Sequence, residues 1–235
     1  MQKDNKGYLY LIPSPINDND EDFLSAKQQE KIKHIKNFVV ENLKPARNTL
    51  KKINLDTKLQ DLNLYENNKQ IKIDFNVFMS IIKKGDDFGL LSDCGLPCMA
   101  DPGSDIVSYC HENNIIIKSL CYSSSITTSL ISSGFNGQNF EFIGYLPINE
   151  NEKNKYLEKC YKTIQQIKKT FIFIESPHRN NSVVDSIIKN APEFIRLCIA
   201  YNIGGEDEFI RSYSIKDWKN RETILDKKPC IFLIN

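Results

Sequence analysis

The chain has 235 residues, of which 40% are hydrophobic and 26% charged. That is enough for one large domain or two small ones, in proportions ordinary for a soluble globular protein. With 31 basic and 30 acidic side chains the net charge is +1, which argues against a protein dominated by clustered phosphate contacts but leaves room for a local basic surface.

Tyr8–Ile12 is a short apolar run stopped by Pro13-Ser14-Pro15, the pattern of a buried strand ending in a loop. After the acidic loop Ile16–Asp22, the apolar spacing of Phe23, Ala26, Ile32, Ile35 and Phe38 is helical but imperfect. Phe38–Val40 reads as a second strand leading into the segment Glu41–Arg47, and residues 54–72 are too polar to assign. Val77, Phe78, Ile81 and Ile82 define a short helix closed by Lys83-Lys84-Gly85. Phe88–Ser92 is a strand. Asp101 followed by Pro102 has the form of a helix cap and first-turn proline. Ile115–Ile117 is the next strand. Continuous apolar strands alternating with helices indicate a mostly parallel sheet covered on both faces.

A second block starts near Cys121, with a lobe boundary expected at 121/122. It reads as a helix over 123–133, a strand over 140–147, a helix over 155–169 and a strand over 171–174. Ser176-Pro177 caps the next helix, and Phe194–Ala200 is a strand. A hairpin-like pair is expected over 208–216 and a final strand over Cys230–Ile234.

No apolar run approaches the roughly 20 residues that span a bilayer, so no membrane association is expected, and Met1–Lys6 lacks the apolar core of a signal peptide. The seven cysteines are scattered and odd in number, as expected of reduced thiols in a cytoplasm. Cys94 and Cys98 are spaced C-x3-C, but His34, His111 and His178 supply no second pair, so no metal site is expected.

Three turns follow apolar strands, where open α/β sheets bind ligands. They are Pro13–Pro15, Asp93–Gly103 and Ser176–Arg179. The second is far longer than a plain crossover of about 2–6 residues. Its two Pro, two Gly and two Asp suit either a binding loop or a tight structural turn with Asp101 as cap. In the third, His178 and Arg179 occupy a first helical turn, where the dipole disfavours cations. They suit an anionic ligand or a plain surface. No GxGxxG, Walker loop or serine triad is present.

Together these motifs resemble the tetrapyrrole-methylase superfamily, and within it the ribosomal RNA small-subunit 2′-O-ribose (cytidine) methyltransferase family. The resemblance runs from Gly7 to about Arg196. It lies in Gly7–Ile16, in Leu91–Gly103 (family V-S-D-A-G-T-P-x-I-S-D-P-G), in Gly144–Pro147 (G-F-L-P) and in Glu175–Arg179 (E-S-P-H-R). It implies two α/β lobes, 1–121 with a mostly parallel sheet and 122–235 with a mixed one. S-adenosylmethionine would lie in the cleft between them, usually in a homodimer. By position the implied cofactor contacts are Pro13, Leu96, Met99, Ala100, Asp101, Ser124 and Ser125. Glu175 and His178 are the implied candidates for a base, Ser176, Arg179 and Arg47 face the acceptor, and Lys155 is a further phosphate contact. Asp93 is expected to brace its loop.

The chain departs from the family at Asn17–Asn19, at Glu41–Arg47 (family E-D-T-R), at Cys121–Ser125 (P-G-P-S-A) and in the basic residues after Gly144–Pro147, here Ile148–Glu152. The expected function is ribose methylation of small-subunit ribosomal RNA. The alternatives are a tetrapyrrole or protein acceptor, or a binding protein of the same fold without catalysis.

Overall fold

The central strands form where the sequence is apolar on both faces, and side-chain caps start some of the helices, as Asp74, Asn149 and Ser214 do. The computed structural model describes residues 6–16, 20, 23–121 and 124–235. The chain divides into two compact units, Met1–Tyr122 and Ser123–Asn235.

The first unit contains β1 (Leu9–Leu11), α1 (Ala26–Ile32), β2 (Asn37–Val40), α2 (Leu43–Lys51), β3 (Asn63–Glu66), α3 (Phe75–Lys83), β4 (Phe88–Leu91), α4 (Ser104–Glu112) and β5 (Ile117–Ser119). Its five strands are all parallel, in the order β3-β2-β4-β1-β5. Side chains alternate between the two faces. Tyr10, Ile12, Phe38, Val40 and Leu91 pack with Ile32 of α1 and with Ala46 and Leu50 of α2. Leu9, Val39, Phe88 and Leu90 pack with Phe78 and Ile82 of α3 and with Ile106 and Cys110 of α4.

The strand order places a switch point between β1 and β4. The chain leaving β1 goes to β2 on one side, and the chain leaving β4 goes to β5 on the other. The carboxyl ends of two such strands open a crevice in sheets of this kind.

The second unit contains α5 (Ser125–Ser133), β6 (Phe140–Tyr145), α6 (Glu150–Ile167), β7 (Thr170–Ile174), α7 (Asn180–Asn190), β8 (Arg196–Tyr201), β9 (Phe209–Ser214), α8 (Ile215–Trp218) and β10 (Cys230–Ile234). The order is β6-β7-β10-β8-β9. β6 and β7 are parallel, and β10 runs antiparallel between β7 and β8. The larger core joins Phe173 and Phe232 to Leu157 of α6, Val183, Val184 and Ile187 of α7 and Trp218 of α8, while Leu130 of α5 covers Ile172 and Leu233 on the opposite face.

The expected parallel and mixed α/β sheets are both present, with several corrections. The helix read over 23–38 is only α1. It starts where the Ser25 amide donates to Gln28 Oε1 at 2.8 Å, and the chain then turns so that Phe38 enters β2. Within the Glu41–Arg47 segment, α2 begins at Leu43. Pro45 falls in its first turn, where no amide is needed. Asp101 does not cap a helix. α4 begins at Ser104 with Gly103 as its N-cap at φ 122°, and a Cβ there would sit 3.0 Å from Leu90 Cδ2 and 3.1 Å from Cys98 Sγ. Ser176-Pro177 opens a 3₁₀ turn, Pro177–Arg179, and α7 follows from Asn180. The pair expected over 208–216 is the single strand β9, antiparallel to β8.

Gly89, in the middle of β4, shows how tightly the first sheet is packed. A Cβ there would lie 2.5 Å from Phe38 Cδ1 and 2.8 Å from Ile12 Cδ1. Gly89→Ala is expected to destabilise the fold by about 1–3 kcal/mol through overpacking. The check is a lower urea midpoint with an unchanged slope, and an unmoved midpoint would show that the Phe38 ring yields freely.

Candidate active site

The exits of β1 and β4 are joined. Ser14 N donates to Gly95 O at 2.7 Å, Gly95 N donates back to Ser14 O at 3.1 Å, and the Ser14 hydroxyl donates to Ser92 O at 2.6 Å. Ser14 is 2% exposed, so the join is shielded from water. Pro13 beside it is buried. The loop that follows, 92–103, carries Gly95, Cys98 and Ala100 at φ 71°, 67° and 64°. A left-handed non-glycine residue costs about 1–3 kcal/mol unless its surroundings fix it, and such residues gather at ligand sites.

This strain shapes what the loop presents. Leu96 and Asp101 are half-buried and Ala100 is exposed. Met99 is 43% exposed, a large apolar side chain offered to solvent. A Cβ on Gly95 would meet nothing within 4 Å, so its backbone faces open space.

Three carboxylates gather here: Asp93 and Asp101 belong to the loop, and Glu41 comes from the exit of β2, far away in sequence. Burial, together with the charges of Glu41 and Asp93, pushes the Asp101 carboxyl up to about 6, against an opposing hydrogen bond from Ser92. Burial and Asp93 also raise Glu41. Asp93 accepts from Asn42 N at 3.2 Å and from Asn42 Nδ2 at 2.7 Å, so it does brace the loop, against the start of α2. The result is a strained apolar lip beside crowded negative charge, a setting suited to a ligand with apolar surface and a positive centre.

The second unit has its own cluster at the carboxyl end of β7. Glu175 is buried, and Arg179 Nη2 forms an ion pair with its Oε1 at 3.2 Å. Neither carboxylate oxygen has a hydrogen-bond partner of good geometry among the described residues. Burial raises the Glu175 carboxyl, opposed by Arg179 and Lys153. Ser176 is half-buried at the start of the 3₁₀ turn, and His178 is exposed on it. Ser124 is the N-cap residue of α5 and Ser125 its first residue. Arg47 is exposed on α2, and Lys155 is exposed on α6.

The structure thus brings Pro13 together with Leu96, Met99, Ala100 and Asp101 on two joined loops, and Glu175 together with Ser176, His178 and Arg179 on one turn. Arg47 stands apart from the joined loops, along α2. Lys153 was missed. It is 2% exposed and pairs with Glu150 Oε1 at 2.7 Å. The signal was its place on the buried stripe of α6, in line with Leu157, Cys160 and Ile164. Glu41 was noted only within a displaced motif.

No family model matches the chain. Curated relatives do. The chain is 30% identical over 188 residues to "Ribosomal RNA small subunit methyltransferase I" of Halalkalibacterium halodurans, a match covering 80% of this chain and 62% of that protein's length. It is 29% identical to the protein of the same name from Buchnera aphidicola subsp. Schizaphis graminum, over 97% of this chain and 78% of the relative. For the Bacillus subtilis protein of that name, identity is 29% over 88% of this chain and 72% of the relative. Among solved structures, the methyltransferase CobJ aligns at TM-score 0.60 and 14% identity, over 97% of this chain and 94% of its own. Cobalt precorrin-4 methyltransferase CbiF aligns at TM-score 0.54 and 14% identity, over 97% and 94%. At that identity the structures establish the fold.

The raised carboxyl of Asp101 carries a pH dependence. Its folded value, about 6, lies above the ordinary 3.8, so the folded state binds this proton more tightly and stability falls as pH rises from about 4 to 6. Asp101→Asn removes the half-buried charge. The variant is expected to melt above the wild type at pH 7.5, with the gap closing by pH 4. Equal melting temperatures at both pH values would show that Asp101 is not crowded.

Proposed function

We propose that this chain, a relative of the ribosomal RNA small subunit methyltransferase I proteins with the fold of the tetrapyrrole methyltransferases, is an enzyme that methylates a ribose 2′-hydroxyl of small-subunit ribosomal RNA. Its methyl donor is S-adenosylmethionine, and it works as a homodimer in the cytoplasm. Among the described residues, no helix is long and apolar enough to cross a membrane.

The observation that carries the reading is the strained loop 92–103 at the switch point of the parallel sheet. Its donor set fits the cofactor. Exposed Met99, half-buried Leu96 and the open backbone at Gly95 suit an adenosine and its methionine chain, and the crowded carboxylates Glu41, Asp93 and Asp101 suit a cation. Pro13, Leu96, Met99, Ala100 and Asp101 would hold it. When bound, S-adenosylmethionine supplies a methyl group activated on a sulfonium.

The chain's own residues then orient and deprotonate. Methyl transfer to a hydroxyl is an in-line displacement, so fixed orientation supplies much of the rate. Glu175 is the proposed base. A carboxyl raised by burial accepts a proton more readily than a solvated one. Arg179 holds it from the next turn. His178 is the alternative base, and Ser176, Arg179 and Arg47 are the proposed contacts to the acceptor strand.

Calorimetry with S-adenosylmethionine tests the cofactor half, and no binding at millimolar ligand would remove the enzyme reading. Labelled methyl transfer to small ribosomal subunits from a strain lacking this modification tests the acceptor. Label in protein, or none incorporated, would remove the RNA reading. Glu175→Gln is expected to lose about 10²–10⁴-fold in methyl transfer with cofactor affinity kept. A variant of full activity would exclude Glu175 as the base.

A further inference from the structure

A second feature of the first unit lies outside the joined loops. α2 carries Lys44, Arg47 and Lys51 at i, i+3 and i+7, which places them on one helical face. All three are exposed. With a rise of about 1.5 Å per residue the stripe runs for about 10 Å along the helix. Beside it, a groove of about 680 Å³ separates α2 from the 3₁₀ turn Leu59–Asp61 and the edge strand β3. Leu43, Leu59, Leu62 and Leu64 form its apolar floor, and Arg47 and Lys58 stand on its rim. No carboxylate lines it among the described residues. Lys44, Arg47, Lys51 and Lys58 form no ion pair among the described residues.

The four leucines pack against the core of the first unit on one side but stay half-buried, which leaves their outer faces to the groove. A basic side chain that only solubilises a surface needs no apolar trough beside it, and a trough serving protein packing would be expected to carry both signs of charge on its rim. Two cations on the rim of a leucine-floored groove, with Lys44 and Lys51 on the adjoining helical face and none of the four in an ion pair among the described residues, match a polyanion that also offers apolar faces. Single-stranded RNA has this composition, with phosphates along one side and bases and riboses along the other. The groove is also placed to receive such a strand. α2 starts at the carboxyl end of β2, where Asn42 is held by Asp93, so the stripe leads away from the carboxylate-lined end of the sheet.

We propose that the α2–β3 groove is the docking track for the RNA strand that flanks the methylated nucleotide, with Lys44, Arg47, Lys51 and Lys58 on successive phosphates and the leucines against base and ribose faces. This rests on the RNA-acceptor reading and extends it from a single arginine to a surface. Such contacts position the substrate and carry no sequence information.

The test is a triple variant, Lys44→Ala, Lys51→Ala and Lys58→Ala, with Arg47 left in place. Filter binding of purified small-subunit ribosomal RNA is measured between about 50 and 200 mM salt. Affinity is expected to fall at least tenfold at the lower salt. The slope of log K against log salt is expected to shrink by about 2–2.7, at roughly 0.7–0.9 for each phosphate no longer neutralised. The matching Lys→Arg triple variant is expected to bind as the wild type does. Cofactor calorimetry on all three proteins reports that the fold is intact. If the wild type binds RNA and the alanine variant binds with equal affinity and slope, the groove is not the track and the RNA reading stands. If the wild type binds no RNA, both fall.

Discussion

The first unit is organised around one small polar junction, the three hydrogen bonds by which Ser14 holds Gly95 and Ser92. Each hydrogen bond is worth only about 0.5–1.5 kcal/mol net, but its position multiplies its effect. It closes the exits of the two central strands over the point where the sheet's connections diverge. The loop beyond can then hold Cys98 and Ala100 in left-handed backbone, because both of its ends are fixed: at Ser92 and Gly95 by this junction, and at Gly103 by the close fit under Leu90. Without the junction the loop would relax, and Met99 would have no reason to stand in solvent.

The electrostatics of the chain divide by location, although the net charge is near zero. Negative charge crowds the carboxyl ends of β2 and β4, where Glu41, Asp93 and Asp101 lie within reach of one another's fields. Positive charge runs along α2 and onto the rim beside β3. Glu175 shows a third arrangement, a buried carboxylate set between Arg179 and Lys153. In water these groups would be ordinary. Desolvation sets Glu41, Asp101 and Glu175 apart, since each loses hydration and depends on the charges its neighbours supply, while the cations of α2 stay in water.

Much of the fold was legible because buried parallel strands are apolar on both faces. Tyr8–Ile12, Phe88–Ser92 and Phe171–Ile174 stand out for that reason, and so does Cys230–Ile234 at the centre of its sheet. β3 did not stand out. It is an edge strand with Asn63 and Glu66 at its ends, and an edge needs no continuous apolar run. α2 was hidden by Pro45 and its polar surface, although a proline in a first turn costs the helix nothing. The loop 92–103 was visible as a site by its composition, but its geometry was not: α4 starts only at Ser104, and the cap fell to Gly103, which lies where a side chain would meet Leu90 and Cys98. The carboxylate cluster was legible only in part. Asp93 and Asp101 share the loop after β4, but Glu41 follows β2 and joins them through the parallel pairing of β2 with β4. Lys153 escaped because a lysine is read as surface unless its helical neighbours are checked.

The position of β10 has a consequence for how the molecule is made. Every strand of the first sheet has been synthesised by Ser119, so that unit can close as soon as its own residues are available. The second sheet cannot, since β7 and β8 do not pair with each other and meet only through β10. At about 5–20 residues per second, the 115 residues from Ser119 to Ile234 take roughly 6–23 s to translate. Once Ile174 and then Tyr201 are made, the apolar edges of β7 and β8 wait open until β10 follows, while the first unit is already complete. The growing chain therefore passes through a stage in which one sheet is closed and the other still has unpaired strand edges, the kind of state in which strand edges can pair with other chains.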